Sequence, residues 1–173
     1  LSSVHSGENG TNAINAFMEL RAREAAGYPP GALHYPGRLV LVTRNVWPLG
    51  LANGDTAIEL PDGKGGLAAF FGGGGKLLPV ALLPDHESAF AITIHKSQGS
   101  SYHRLAVCLP DSGMERIGSR ELLYTAVTRL ADEGGEKGEM TVIASEAAVK
   151  SAVGRRVKRF SGLADRLGKL VAK

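Results

Sequence analysis

The stretch from Arg38 to His86 restricts the fold most, because it contains no helical period of adequate length. It consists instead of short apolar runs, "GRLVLVTRN", "GLANGDTAIEL", "GLAAFF" and "KLLPVALL", separated by turn sequences such as "NG" and "GGGG". A βαβ unit needs a crossover helix between its strands, so this stretch does not fit one. We therefore predict that residues 36–86 form a small β-barrel of short strands.

The second half of the chain follows a different pattern. The apolar runs "SAFAITI", "RLAVCLP" and "GEMTVIAS" alternate with the helical patterns "SRELLYTAVTRLA" and "EAAVKSAVGRRVKRF". Ser119 is suited to cap the first of these helices, and Glu121 lies favourably in its first turn. Strands that alternate with helices predict a parallel α/β sheet. We expect residues 1–35 and 87–160 to form this α/β domain, with the barrel inserted into it and a basic tail at 161–173.

The first helix is predicted over "TNAINAFMELRAREAAG". Thr11 or Asn12 can cap its start, and Gly27 can end it. The residues that we expect on its buried face are Ile14, Phe17, Met18 and the stem of Arg21.

Composition excludes several classes of protein. The chain has 173 residues and a formal net charge of +3, which permits a nucleic-acid partner without requiring one. Its single cysteine, Cys108, allows no internal disulfide, and no Cys/His spacing suggests a metal site. No apolar run is long enough to span a membrane, and no signal peptide is visible. Because the sequence begins at Leu1, we expect it to be a piece of a longer protein or a processed product.

The string "ITIHKSQGSSY", residues 92–102, carries the strongest functional signal. A buried strand here leads at once into His95, Lys96, Ser97 and Gln98, and then into Gly99, where the backbone can approach a ligand closely. Ligands of open α/β sheets bind just beyond the carboxyl ends of strands. These residues predict a loop that faces phosphate or nucleic acid.

This string and "LLYTAVTR" further along resemble the fifth and sixth motifs of superfamily-one DNA helicases, in particular the RecD-like, 5′-to-3′ branch. Three further segments are similar to the same branch. "HSGENGTNAIN" resembles the start of its second motor domain, "GRLVLVTRN…LGLANGDTAI" resembles the start of its inserted SH3-like barrel, and "RRVKRFSGLADRL" resembles its C-terminus. The resemblance implies a second RecA-like motor domain with an inserted SH3-like β-barrel.

The resemblance also implies roles for individual residues. Arg129 matches the arginine finger, the catalytic group that stabilises charge on the phosphoryl oxygens during ATP hydrolysis. The implied nucleotide-binding residues are Gln98, Gly99, Ser101, Tyr124 and Thr128. The implied DNA-binding residues are Thr93, His95, Lys96, Ser97, Arg44 and Asn45.

The cofactors that the resemblance implies are ATP and Mg²⁺. Their main ligands lie outside this chain, which has neither a G-x-x-x-x-G-K-[ST] phosphate loop nor an Asp-Glu pair at the end of an apolar strand. We therefore expect the chain alone to be inactive. The implied partners are single-stranded DNA, the N-terminal motor domain of the same protein and RecB- and RecC-type subunits of a cytoplasmic helicase–nuclease for double-strand-break repair.

Several alternatives stay open at this level. Ser101 stands where many superfamily-one motors have Glu, and Leu130 replaces the small residue usual after the finger. A non-enzymatic DNA-binding or scaffold module, or the helicase part of a conjugative relaxase, therefore competes with a working helicase. Arg129 also suits an ordinary helix end, and Arg44 and Asn45 suit an ordinary turn. The basic tail fits a solvated face, a DNA contact or a docking segment.

Overall fold

The computed structural model describes residues 1–72, 75–111, 113 and 117–157. The helices are α1 (Thr11–Ala25), α2 (Arg120–Val127) and α3 (Glu146–Gly154). The strands are β1 (Leu39–Val42), β2 (Thr56–Pro61), β3 (Leu67–Phe71), β4 (Lys76–Pro79), β5 (His86–Ser88), β6 (Arg104–Cys108) and β7 (Glu139–Ile143).

Strands β1 to β5 form one antiparallel sheet in the order β4-β3-β2-β1-β5. Val40 of β1 lies opposite Ala57 of β2 on one side and Ser88 of β5 on the other. The short strands expected before His86 are thus confirmed. The sheet is not closed, since β4 and β5 lie at its two edges and are not paired with each other in the part of the chain described. The predicted barrel is therefore observed as an open five-stranded sheet.

A second sheet in the molecule is parallel. Strands β6 and β7 pair in parallel, and Ser2 forms parallel bridges to Thr93 and to Cys108. The order across this sheet is thus Thr93, Ser2, β6, β7. The run "SAFAITI" was expected to be a full strand, but its parallel pairing is confined to Thr93. Its first residues are held instead by β1 and α1.

Helices α2 and α3 pack on this parallel sheet. Ser119 caps α2 as predicted, because its hydroxyl accepts a hydrogen bond from the Leu122 N–H at 3.1 Å. Helix α3 ends at Gly154, earlier than the sequence pattern suggested. The buried residues of this core are Ile94, Leu105, Val107, Leu109, Leu122, Ala126, Ala148 and Ala152. The antiparallel sheet has a separate core, formed by Val40, Val42, Leu51, Ala57, Ala69, Phe71 and Leu78.

The buried face predicted for α1 is wrong for most of its residues, because Phe17 is 62% exposed, Met18 is 38% exposed and Arg21 is also exposed. Ile14 of that face is half-buried, and the other buried or half-buried side chains of α1 are mostly polar. Asn15, Glu19 and Arg23 follow one another at intervals of four residues and form a polar stripe. Asn15 contacts Ser88 of β5, Glu19 contacts Arg38 just before β1, and Arg23 contacts Pro30 in the segment after α1.

The basic tail, residues 161–173, lies outside the described residues. Among the described residues, no helix combines the length and apolar character needed to cross a membrane. In the same part of the chain, no group of three or more His, Cys, Asp or Glu side chains is placed to hold a metal ion.

Candidate functional site

The predicted loop leaves the parallel sheet at Thr93 and forms a compact turn. The Ser97 N–H donates to the Thr93 carbonyl at 3.1 Å, and the Ser100 N–H donates to the Ser97 carbonyl at 3.0 Å. Gly99 has a φ of 89°, a left-handed conformation that side chains other than glycine adopt with strain. The glycine therefore lets the chain leave this turn toward Ser100. We call residues 94–101 the polar loop.

The polar loop presents some of its predicted ligand-binding residues to solvent. His95, Gln98 and Gly99 are exposed. Lys96 is also exposed, and its Nζ forms an ion pair at 2.5 Å with Glu87. That ion pair ties the loop back to β5 and places a carboxylate beside the lysine.

Thr93 and Ser97 do not face solvent, contrary to the prediction that both donate to DNA. Thr93 is 6% exposed and Ser97 is fully buried. The Ser97 hydroxyl donates to the Ile94 carbonyl at 2.7 Å, and the Thr93 hydroxyl accepts from the Lys96 N–H at 3.3 Å. Both hydroxyls thus hold the turn together, and a direct side-chain contact from Ser97 to DNA is not compatible with this conformation.

Arg129 lies beside the polar loop, immediately after α2. Its Nη1 donates to the Ser100 carbonyl at 3.1 Å, and its Nε donates to the Thr125 carbonyl at 3.2 Å. The backbone joins the same two regions, because Tyr102 donates its N–H to the Arg129 carbonyl at 2.8 Å. Residues that are 29 positions apart in sequence, Ser100 and Arg129, are therefore in direct contact.

The other predicted nucleotide-binding residues lie around Arg129 in different ways. The Thr128 hydroxyl donates to the Tyr124 carbonyl at 2.9 Å and accepts from Arg129 Nη2 at 3.2 Å. Ser101 is exposed next to the contact between Ser100 and Arg129. The Tyr124 side chain is 69% exposed, so it does not pack into the polar loop.

Arg44 and Asn45 have partners at the turn end of the antiparallel sheet. Arg44 pairs with Asp85 at 3.1 Å, and both side chains are well exposed. The Asn45 side-chain oxygen accepts the Asn53 N–H at 2.8 Å. Asn45 thus stabilises a turn, as expected if these two residues are ordinary turn residues. These bonds do not bring Arg44 or Asn45 to the polar loop.

The polar loop also borders a cleft that the sequence did not reveal. This cleft, of about 370 Å³, is lined by Ser100 and by residues of the antiparallel sheet and its turns that include Thr56 and Lys76. Lys76 directly follows the "GGGG" run, which the sequence predicts to be a turn. Lys76 and Ser100 of the polar loop line the same cleft. The sequence alone gave no sign that these residues come together.

The start of α2 carries a favourably placed carboxylate. The pKa of Glu121 is lowered, first by its own backbone N–H at the helix start and then by a hydrogen bond from the Val157 N–H. This contact holds the chain that follows α3 against the beginning of α2. Helix α2, which precedes Arg129, is thereby anchored at its start.

The polar loop and Arg129 both lie in a segment of the chain that matches a known protein family. Residues 88–132 match the UvrD-like helicase C-terminal domain family. The chain is 42% identical to the RecBCD enzyme subunit RecD of Mycobacterium tuberculosis over 163 residues, which cover 93% of this chain and 27% of that protein. It is 39% identical to the RecD subunit of Haemophilus influenzae over 75% of this chain and 18% of that protein.

Two further similarities are more distant. The ATP-dependent RecD2 DNA helicase of Deinococcus radiodurans is 32% identical over 56% of this chain and 13% of that protein. The structure of Bacteroides Pif1 bound to single-stranded DNA aligns with a TM-score of 0.45 and 15% identity, over 87% of this chain and 42% of that one.

The chain spans only about a quarter of the length of the mycobacterial relative. The matched family describes a C-terminal domain, and it includes both the polar loop and Arg129. This chain is a C-terminal part of a RecD-like helicase.

Proposed function

We propose that this chain supplies the second motor domain of an ATP-dependent, 5′-to-3′ DNA helicase. In this proposal, residues 1–35 and 87–160 form the motor domain, and residues 36–86 form an inserted module. ATP and Mg²⁺ bind between this domain and an N-terminal motor domain that carries the phosphate loop. RecB- and RecC-type subunits complete a helicase–nuclease that acts in double-strand-break repair.

The observation that carries the proposal is the contact between Arg129 and the polar loop. A motor must link events at the nucleotide to its grip on DNA, so groups that serve the two ligands have to be mechanically joined. Here the guanidinium bonds to the carbonyl of Ser100, one residue after Gly99. Any displacement of Arg129 toward a nucleotide breaks or moves that bond and so acts on the loop.

Arg129 has the properties required of an arginine finger. Its side chain is a guanidinium cation, and the planar donors of that group suit phosphoryl oxygens. Its present acceptors are neutral carbonyl and hydroxyl oxygens, not carboxylates. The guanidinium charge is thus not neutralised by these partners and is free to stabilise the negative charge of the transition state.

The DNA side of the proposal rests on fewer residues than the sequence suggested. His95 is exposed and can donate an imidazole N–H to a phosphate oxygen. Lys96 adds a cation whose charge is partly balanced by Glu87. Thr93 and Ser97 contribute by shaping the turn that presents these two side chains.

ATP hydrolysis and strand separation by the full-length protein test this function. We expect single-stranded DNA to stimulate ATP turnover, and we expect unwinding of duplexes with a 5′ single-stranded tail but not of those with only a 3′ tail. Tight DNA binding without any ATP turnover would contradict the helicase and support a non-enzymatic scaffold.

A further inference from the structure

Asn15 on α1 holds the segment that leads into the polar loop. Its side-chain Nδ2 donates to the Ala91 carbonyl at 2.9 Å and to the Ser88 carbonyl at 3.1 Å. Its Oδ1 accepts the Ala91 N–H at 2.7 Å. The Ala91 N–H requires an acceptor and the carbonyls require donors, so only one orientation of the amide satisfies all three bonds.

These bonds act where the sheet provides little support. The parallel pairing of this segment is confined to Ser2, which donates to the Ile92 carbonyl at 3.0 Å and accepts from the Ile94 N–H at 2.9 Å. Between β5 and that pairing, the Ala89 N–H still donates to the Leu39 carbonyl of β1 at 3.0 Å, and residues 90–91 lie outside the strands. Asn15 supplies three hydrogen bonds across this gap.

The held segment is bracketed by the ion pair of the polar loop. Glu87 lies next to Ser88, and Lys96 of the loop pairs with Glu87 at 2.5 Å. The chain from Glu87 to Lys96 therefore forms a closed clip, with Asn15 bonded to its middle. A shift of residues 88–91 would be transmitted to both ends of this clip.

We propose that Asn15 is a positioning residue for DNA binding, which sets the place of His95 and Lys96 by fixing residues 88–91. This inference rests on the proposed function of the polar loop. Asn15 itself contacts neither ligand. Its effect on DNA arises only through the backbone that it holds.

Three variants of the full-length protein test this role. Asn15→Ala removes all three bonds. Asn15→Asp keeps the shape and the acceptor for Ala91 but turns an oxygen toward two carbonyls, which repels them. Asn12→Ala is the matched control, because Asn12 lies on the same helix with an exposed side chain.

The measurements are ATP turnover at increasing concentrations of single-stranded DNA, turnover without DNA, and the melting temperature. We expect both Asn15 variants to raise the DNA concentration for half-maximal stimulation by about tenfold, less than the roughly hundredfold loss that a displaced reacting group can cause. Turnover without DNA should be unchanged, and Asn12→Ala should match the native protein in all three.

The outcomes separate this inference from the proposed function. If the native protein shows DNA-stimulated turnover and the Asn15 variants need no more DNA than it does, the positioning role is wrong. Equal losses of turnover with and without DNA, or a lowered melting temperature alone, would also overturn it by showing a merely structural residue. If the native protein hydrolyses no ATP, the proposed function itself fails.

Discussion

His95 and Ser97 occupy the same turn but face opposite sides of it. His95 is exposed, whereas Ser97 is fully buried and donates to the carbonyl of Ile94. The polar residues of this string therefore divide between two tasks. Some are exposed and so accessible to a ligand, and others satisfy the backbone of a turn that would otherwise leave carbonyls unpaired.

Replacing Ser97 separates these tasks. Ser97→Ala leaves the Ile94 carbonyl without its donor, and we expect the free energy of unfolding to fall by about 1–3 kcal/mol. DNA affinity should remain near that of the native protein if the temperature is well below melting. Urea denaturation and a DNA titration measure the two effects.

His95→Ala is the comparison for Ser97→Ala, and it should show the reverse pattern. Its unfolding should be unchanged, because the side chain is exposed, and its DNA affinity should fall. Loss of DNA affinity in Ser97→Ala without loss of stability would contradict the buried role assigned to that hydroxyl.

Tyr35 is a second residue whose polar group is buried by the fold. Its side chain is fully buried, and its hydroxyl has no hydrogen-bond partner. Burial is the main cause that raises the pKa of this phenol. Tyr35→Phe removes an unsatisfied group, so we expect stability to be equal or higher by about 1–2 kcal/mol.

The pH dependence of Tyr35 follows from the direction of its pKa shift. Above the ordinary tyrosine pKa, near 10, the unfolded chain releases the proton while the folded chain retains it. The native protein should therefore lose stability as the pH rises above about 10, and Tyr35→Phe should lose less. Denaturation curves from pH 8 to 11 for both proteins check this, and parallel curves would show that Tyr35 does not contribute.

At the scale of elements, α1 shows where prediction from sequence succeeds and where it stops. The structure confirms the helix at Thr11–Ala25, but the predicted cap is wrong, because Gly10 occupies the cap position and no side chain caps the helix there. Its packed face does not follow from local signals, because apolar spacing favoured Phe17 and Met18, and both side chains are exposed. The partners that select the polar stripe lie far along the chain, as Ser88 does from Asn15.

One of those distant partners is Arg38, whose ion pairs join α1 to the antiparallel sheet. Arg38 lies between Glu19 of α1, at 3.3 Å, and Glu59 of β2, at 3.2 Å. Glu59 is fully buried and also accepts from the Tyr35 N–H at 3.1 Å. The antiparallel sheet and α1 are thus connected through charge rather than through apolar packing.

Arg38→Met should leave Glu59 as a buried carboxylate without this cation. We expect a loss of about 3–5 kcal/mol in the free energy of unfolding. Arg38→Met combined with Glu59→Met should recover at least part of it, because both charges are then removed. The control is Arg21→Met, whose ion pair with Glu24 is exposed and should change stability by less than about 1 kcal/mol.

Urea denaturation of the four proteins decides this question. A single variant Arg38→Met that is as stable as the control would show that Glu59 is accommodated by its other partners, His34 and the Tyr35 N–H.

At the scale of the molecule, two separate cores support one shared site. The parallel sheet carries the polar loop and Arg129, and the antiparallel sheet lines the cleft beside Ser100. The two motif strings were recognisable from their letters, because each is a short local pattern. Their contact through Ser100 and the approach of Lys76 depend on how the sheets assemble, so no local pattern contained them.

The isolated chain should bind DNA weakly and hydrolyse no ATP. It lacks the phosphate loop and the acidic pair that hold ATP and Mg²⁺ in such motors. Measurement of phosphate release by the purified 173-residue chain, with and without single-stranded DNA, checks this expectation. Release above background that disappears when Arg129 is replaced would mean that the chain holds a complete nucleotide site.

The most direct test of the central claim is the DNA-stimulated ATP turnover of the full-length protein with Arg129→Ala. The control is Arg21→Ala, which removes an exposed arginine of α1. Arginine fingers contribute roughly 10³- to 10⁵-fold in other nucleotide hydrolases, so we expect turnover to fall at least about a hundredfold with ATP binding and melting temperature retained. Turnover equal to that of the native protein would contradict the account and leave Arg129 as an ordinary residue at a helix end.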